Sequence, residues 1–422
     1  MLIGFTVGNY RSFKEKVTLS MVAANIKSEP GLENVDENNV FSAGKLNLLK
    51  SAVIYGANAS GKSNLIRAIH FIRNLVLHSS KEAQAGEEIS IANFRLVENY
   101  EEESPCFFEM VFILEGKKYR YGFEASPKSI HREWLFYTPT TRETKLFKRE
   151  NGKILIARVF PEGKALEEKT RDNALFLSVV AQFNGPISSK ILEWFRNTNA
   201  VNGLEIASHI NYPINCLNQD NCKNAVLQFI KELDLSIKEI SLEKVTINDE
   251  EIPKDIPDEV KKAILETPLI VTEHNKYDDQ GNIKGTRKLE LYENESEGTK
   301  KLFALSGRIV KALQNGNALL IDEFEARLHP LIARNIIQLF NSPKTNPNNA
   351  QLIITVQDTT LLDKELFRRD QIWFLEKDRS ESSHLYSLAE FERNDASYQK
   401  NYIRGKYGAI PYIGDLSRLF GK

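Results

Sequence analysis

Apolar residues recur along the chain in three rhythms, and each rhythm predicts a different kind of element. Short, largely unbroken apolar runs at Ala52–Tyr55, Ala318–Ile321, Gln351–Val356 and Gln371–Leu375 predict strands buried on both faces. Between residues 90 and 160 the signals come in pairs. Phe107–Leu114 meets Lys118–Phe123 across Glu115-Gly116, and Trp134–Tyr137 meets Lys145–Arg149 across a threonine-rich turn. Ile154–Ala157 follows Asn151-Gly152, so this stretch predicts an antiparallel sheet. Spacings of three and four predict helices from Asn64 onward (Leu65, Ile66, Ile69, Ile72, Val76), within 170–200, and over 222–234 and 298–314. A helix over 330–341 opens on Pro330, a favoured first-turn residue. Leu2–Val7 and Lys16–Met21 predict an edge hairpin, and 237–292 mixes strands with a short helix at 257–266. The polar stretches 25–47 and 79–104 read as loops, and no internal repeat appears.

Gly56-Ala57-Asn58-Ala59-Ser60-Gly61-Lys62-Ser63 fills the phosphate-loop pattern G-x-x-x-x-G-K-[ST] completely, between a predicted strand and a predicted helix that continues through Asn64. That context offers a nest of backbone N–H groups at the positive end of a helix, where the phosphates of ATP are expected to sit. Lys62 is expected to reach the β- and γ-phosphates, and Ser63 to place its hydroxyl on Mg²⁺. A phosphate loop also needs an acidic strand end, and Ala318–Ile321 delivers Asp322 and Glu323. Asp322 is the expected holder of the Mg²⁺ shell, and Glu323 the expected general base for the attacking water.

Lys62 and Asp322 lie 260 positions apart (322 − 62), too far for a compact nucleotide-binding core without insertions. The expected organisation is therefore the first part of an ATPase core over 1–90 and an antiparallel β subdomain over 91–165. A mainly helical insertion with some strands follows over 166–290, and the rest of the core over 291–422. Just before the acidic strand, Ser296-Glu297-Gly298-Thr299 opens an amphipathic helix. A Ser-x-Gly turn there is a second anion site by the same physics as the first. With one phosphate loop already in the chain, Ser296 and Gly298 are expected to contact the γ-phosphate of a nucleotide held by another subunit.

The layout resembles the ABC-type ATPase heads of the SMC and RecF-like class. It is most similar to the stand-alone ATPases of bacterial restriction and abortive-infection systems, of the RloA-like and AbiLii-like kind. The residues that carry the likeness are Asn9-Tyr10-Arg11-Ser12-Phe13, the phosphate loop, Ser296–Thr299, Leu320-Ile321-Asp322-Glu323-Phe324-Glu325-Ala326-Arg327-Leu328-His329-Pro330, and Arg404–Pro411. The middle, about 165–290, matches poorly. The resemblance implies an α/β fold: an ABC-type head with a mixed central sheet and flanking helices, an antiparallel β subdomain and an inserted helical element. It also implies ATP-driven face-to-face dimerisation, into a homodimer or higher oligomer, and a separately encoded effector, often a nuclease. Such heads usually carry a His after the strand that ends here at Val356; this chain has Gln357, whose amide donates hydrogen bonds but carries no charge. The expected function is thus an ATP-hydrolysing subunit of an anti-phage defence system. The rivals are an ATPase for DNA repair or recombination and a slowly or non-hydrolysing ATP-bound scaffold.

Bulk composition narrows this only slightly. The chain has 422 residues, 41% of them hydrophobic and 27% charged, with 56 Lys plus Arg against 57 Asp plus Glu. A net charge of -1 means that any nucleic-acid contact must use a local patch, and Lys145, Lys148, Arg149 and Lys153 form the modest cluster available. Cys106, Cys216 and Cys222 read as reduced packing residues. The N-terminus lacks a signal-peptide layout and no apolar run reaches membrane-spanning length, so a cytoplasmic protein with no membrane contact is expected. Asn275-Lys276-Tyr277-Asp278 imitates a guanine-reading motif but stands in the wrong order for a GTPase and reads as a turn. His329 reads as a helix cap. Arg404–Pro411 reads either as a plain surface turn or as a contact that senses the nucleotide site or docks a partner. No His and Asp cluster with metal spacing follows Gln357, so any nuclease is expected on a partner.

Overall fold

Two sheets with a helix between them build the larger of two units, Met1–Asn202, Leu313–Glu325 and Ala333–Lys422. The structure is a computed structural model that describes residues 1–82, 84, 86–205, 209–234, 236–244, 268–392 and 397–414.

The central sheet has six strands in the order Asn199–Asn202, Ala318–Asp322, Gln351–Thr355, Ser51–Gly56, Ile372–Lys377, Ser383–Ser387. All neighbours are parallel except the last pair. Ser51–Gly56, Ala318–Asp322 and Gln351–Thr355 are buried at every position, which is why they read as unbroken apolar runs. Asn199–Asn202 falls in a stretch expected to be helical. Four residues with polar ends carry too little pattern to announce a strand.

The second sheet is antiparallel, seven strands in the order Lys153–Ile156, Thr144–Glu150, Ile130–Thr138, Lys117–Ala125, Cys106–Leu114, Leu2–Gly8, Val17–Ser20. The predicted hairpins are present. The N-terminal pair is no edge hairpin: Leu2–Gly8 lies inside the sheet, paired with both Val17–Ser20 and Cys106–Leu114. Its residues are almost all buried, consistent with an interior strand. Within the stretch expected to be a loop, a helix Glu33–Asn39 precedes a hairpin of Val40–Ala43 with Leu46–Leu49. Gly44, at φ +67°, makes its turn.

Helix Lys62–His78 lies in one hydrophobic core with both sheets. Leu65, Ile69 and Ile72 join Ile54 and Ile353 of the central sheet and Phe5 and Phe108 of the antiparallel one. Phe71 adds a ring contact to Phe108 at 5.0 Å. A helix held on two faces positions its N-terminus, and with it the phosphate loop, against a rigid background.

The smaller unit is Gly203–Ala312 with Ala326–Ile332. It contains a three-stranded antiparallel sheet, Ile237–Glu243, Leu269–Tyr277 and Ile283–Glu290, with helices Asn211–Leu217 and Asp220–Leu233 and most of helix Glu297–Asn315. The short helix expected at 257–266 lies outside the described residues. Cys216 and Cys222, expected as free thiols, form a disulfide. They flank the turn between two successive helices, which brings their Cα atoms to 5.0 Å. Cys106 is the buried free cysteine. Asn275–Asp278 ends a strand and starts its turn, where Asp278 accepts the backbone N–H groups of Gln280 and Asn282. Among the described residues, no helix is long and apolar enough to cross a membrane.

Candidate nucleotide site at the ends of the parallel strands

The phosphate loop leaves the strand at Gly56 and enters the helix at Gly61, and neither position has room for a side chain. A Cβ at Gly56 would stand 2.4 Å from the Leu375 carbonyl oxygen. Gly61 has φ +112°, and a Cβ there would stand 2.5 Å from Ser383 Oγ and 2.9 Å from Ser12 Oγ. Those two serines bind the loop to the rest of the unit. Ser383 Oγ donates to the Ser60 carbonyl at 2.6 Å, Ser383 N to the Ser12 carbonyl at 2.7 Å, and Asn64 Nδ2 to Ser12 Oγ at 2.9 Å. The N-terminal stretch Asn9–Phe13 thus reaches the loop through Ser12.

Lys62 Nζ donates to the carbonyls of Gly56 (2.6 Å) and Ala57 (3.1 Å). Its side chain is buried, and burial pushes its pKa down, while Asp322, Glu325 and Glu323 oppose that shift. Lys62 lines the cavity that the loop surrounds, with its amine resting on two loop carbonyls.

Asp322 ends its strand buried, and Thr355 at the end of the neighbouring strand ties the acidic pair together. Thr355 Oγ1 donates to Asp322 Oδ1 at 2.5 Å and accepts from Glu323 N at 2.9 Å. Glu323 has φ +50°, an unusual conformation for a non-glycine residue, and it turns the chain off the strand here. Phe324 N donates to the Thr355 carbonyl at 3.1 Å, fixing the exit.

Loop and acidic residues converge on one cavity of about 510 Å³. Asn58, Ala59, Ser60, Gly61, Lys62, Ser63, Asn64, Glu323 and Gln357 line it. Asp322, bonded to Thr355, does not line it. Arg67 and Lys377 also line it, and the sequence did not single them out. Lys377 is reached from the strand beside the loop, where Leu375 pairs with Gly56; the usable signal was the rule that ligands sit at the carboxyl ends of parallel strands. Ser60 Oγ is buried with no protein partner, a polar group free for a ligand atom or water. These residues fit a nucleoside triphosphate. Among the described residues no group of three or more His, Cys, Asp or Glu could hold a metal by itself, so Mg²⁺ here would rely on Ser63, Asp322 and the oxygens of its substrate.

Ser296 and Gly298 belong to the smaller unit. Ser296 Oγ caps helix Glu297–Asn315 by accepting from Thr299 N at 3.2 Å, and Thr299 Oγ1 donates to Asp234 Oδ2 at 3.0 Å. A Cβ on Gly298 would stand 2.9 Å from the Arg327 carbonyl. Glu295, one residue before, binds Thr272 Oγ1 at 2.5 Å and His274 Nε2 at 2.6 Å.

Three other sequence features resolve locally. His329 Nδ1 accepts from Leu331 N at 3.2 Å, capping helix Pro330–Asn341. Arg149 points inward and donates to the Ala174 carbonyl, and Lys148 pairs with Glu150, so neither offers a free cation to nucleic acid. The C-terminal stretch Arg404–Pro411 is a turn with Arg404, Lys406, Ile410 and Pro411 exposed, anchored by the buried Tyr407 and Ala409. Tyr407 stacks on Phe374, and Tyr402 lies 5.7 Å from Tyr55, the residue before the phosphate loop. Gly405 and Gly408 have positive φ, and Tyr386 Oη donates to the Tyr407 carbonyl.

Residues 51–363 match the protein family described as "AAA domain, putative AbiEii toxin, Type IV TA system". The chain belongs to this AAA-domain family. The AAA-domain match begins at the first residue of the phosphate-loop strand and runs past Gln357, so it takes in both halves of the cavity. No curated protein matches the chain. The solved structures similar to it include two SMC head domains. An SMC head domain from Thermotoga maritima is 14% identical with a TM-score of 0.40, covering 92% of this chain and 98% of that one. An Smc head domain with an extended coiled coil, bound to the C-terminal domain of ScpA and derived from Pyrococcus furiosus, is 13% identical with a TM-score of 0.36, covering 96% and 98%. These likenesses are loose, and the family membership rests on the sequence match.

Proposed function

We propose that this P-loop protein binds and hydrolyses ATP as a cytoplasmic subunit of a bacterial anti-phage defence system, and that it switches a separate effector, a nuclease, by assembling on ATP. The observation that carries the enzymatic part is the convergence of Lys62, Ser63, Glu323 and Gln357 on one cavity at the ends of parallel strands. The family description, with its abortive-infection toxin, supports the defence setting.

In this reading the backbone N–H groups of 58–63 cradle the phosphates at the helix N-terminus, and Lys62 exchanges its loop carbonyls for phosphate oxygens. Ser63 and Asp322 would hold Mg²⁺, which would supply charge neutralisation to the phosphates. Glu323 accepts a proton from the attacking water, with Thr355 fixing its backbone. Gln357 donates an amide hydrogen bond where related heads use a charged His. Ser296 and Gly298 close over the γ-phosphate of a facing chain, so ATP favours assembly and ADP does not.

The scaffold reading is favoured by one observation: Gln357 lines the cavity and brings no charge to it. Glu323 on the same cavity favours hydrolysis. Lys62→Ala tests the site itself. Binding of ATP, followed by calorimetry, is expected to fall by at least about 100-fold, the loss of a charge-assisted contact in a shielded site. Undiminished affinity would place the nucleotide elsewhere.

A further inference from the structure

Glu325 lies two residues beyond the acidic pair, and nothing in the phosphate-loop pattern gives it a task. Its carboxylate reaches back to the neighbouring strand end. Glu325 Oε1 accepts the backbone N–H of Gln357 at 2.5 Å and that of Asp358 at 3.1 Å. Two successive backbone donors on one carboxylate oxygen fix the peptide planes on either side of the Gln357 Cα, from which the side chain departs. The loop is held from its other side as well: Tyr55 Oη donates to the Asp358 carbonyl at 3.2 Å, and Asp358 Oδ1 accepts from Thr360 N at 2.8 Å. The second carboxylate oxygen, Oε2, is buried and accepts no hydrogen bond from the protein. The charge has a nearby counterpart in Lys62, whose protonated form Glu325 favours together with Asp322 and Glu323.

We infer that Glu325 is a positioning residue for the Gln357 amide, holding it at the place where the γ-phosphate is transferred; this rests on the ATPase reading above. A charged side chain attracts a phosphate from many orientations. An uncharged amide acts only through a hydrogen bond, which weakens steeply once its angle departs from linearity. A site that uses Gln in place of a cation therefore depends more heavily on a fixed backbone at that residue, and Glu325 supplies it.

Four variants test this: Glu325→Ala, Glu325→Gln, Gln357→Ala and the double variant Glu325→Ala/Gln357→Ala, each first checked for a parent-like melting curve. Glu325→Ala should lower kcat by about 10- to 100-fold, the value of hydrogen bonds to a charged group, with KM for ATP changed by less than about threefold. Glu325→Gln keeps a carbonyl acceptor for both N–H groups and should restore most of the rate. The double variant should be no slower than Gln357→Ala, because a residue that acts through another adds nothing once that other is gone. Multiplicative losses in the double variant, or a Glu325→Ala enzyme as fast as the parent, would overturn the inference. Lys62→Ala and Glu323→Gln run beside them separate the two ideas: if both turn over like the parent, it is the ATPase reading that fails. Hydrogen exchange of the Gln357 and Asp358 amides needs no turnover at all. It should speed up by at least about tenfold in Glu325→Ala and much less in Glu325→Gln. Unchanged exchange in the Ala variant would show that the carboxylate does not hold the loop.

Discussion

Thr355→Val swaps a hydroxyl for a methyl of the same shape at a fully buried position, so almost nothing changes but two hydrogen bonds. One goes from Thr355 Oγ1 to the Asp322 carboxylate at 2.5 Å, and the other comes to it from Glu323 N at 2.9 Å. A hydrogen bond to a charged group contributes ~1.5–3 kcal/mol and one to a backbone N–H ~0.5–1.5, so the expected loss of stability is about 2–4.5 kcal/mol. Thr355→Ser is the control: it keeps the hydroxyl and gives up one methyl, about 1 kcal/mol. Urea unfolding at equal slope reads the difference between the two variants directly. Turnover should follow the same order. With its backbone anchor gone, Glu323 loses its aim, and hydrolysis in Thr355→Val should slow by roughly 10- to 100-fold. The reasoning fails if Thr355→Val is as stable as Thr355→Ser within about 0.5 kcal/mol and hydrolyses ATP as fast.

Three further predictions use other parts of the chain. Ser296→Arg should leave ATP binding nearly intact and abolish ATP-dependent association, read by sedimentation with ATP and with ADP; assembly that survives the arginine would move the contact surface elsewhere. Cysteine labelling without reductant should modify no thiol in the native protein and one after denaturation, since Cys106 is buried with its pKa pushed up to about 12 and Cys216 is bonded to Cys222. Because the folded thiol holds its proton above the ordinary value of 9.0, the unfolded chain releases it first, and stability should decline as pH rises from 9 towards 12. Three labelled thiols in unreduced, denatured protein would exclude the disulfide.

Where the sequence spoke, it did so through local pattern. The phosphate loop carries its own context, the parallel strands show as unbroken apolar runs, and Glu115-Gly116 and Asn151-Gly152 mark their turns. What stayed hidden was contact over distance. Nothing in Leu2–Gly8 says that it pairs with Cys106–Leu114, because strand propensity does not name a partner. The same limit hid Ser12 and Ser383, which press on Gly61 from opposite ends of the chain, and Thr355, an ordinary strand residue until it meets Asp322. The hairpin at 40–49 was masked by the polar residues around it, although Val40-Phe41 and Leu48-Leu49 supply its apolar pairs. Arg149 misled as a surface cation because its inward rotation depends on carbonyls more than twenty residues away.

The most direct test of the whole account is single-turnover hydrolysis of ATP by the parent chain and by Glu323→Gln, with bound nucleotide identified in each. Glu323→Gln keeps the shape of the side chain and removes the base. The account predicts that the parent converts bound ATP to ADP, while the variant binds ATP with parent-like affinity and retains it unhydrolysed, slower by at least about 100-fold. Equal rates in the two proteins would contradict it.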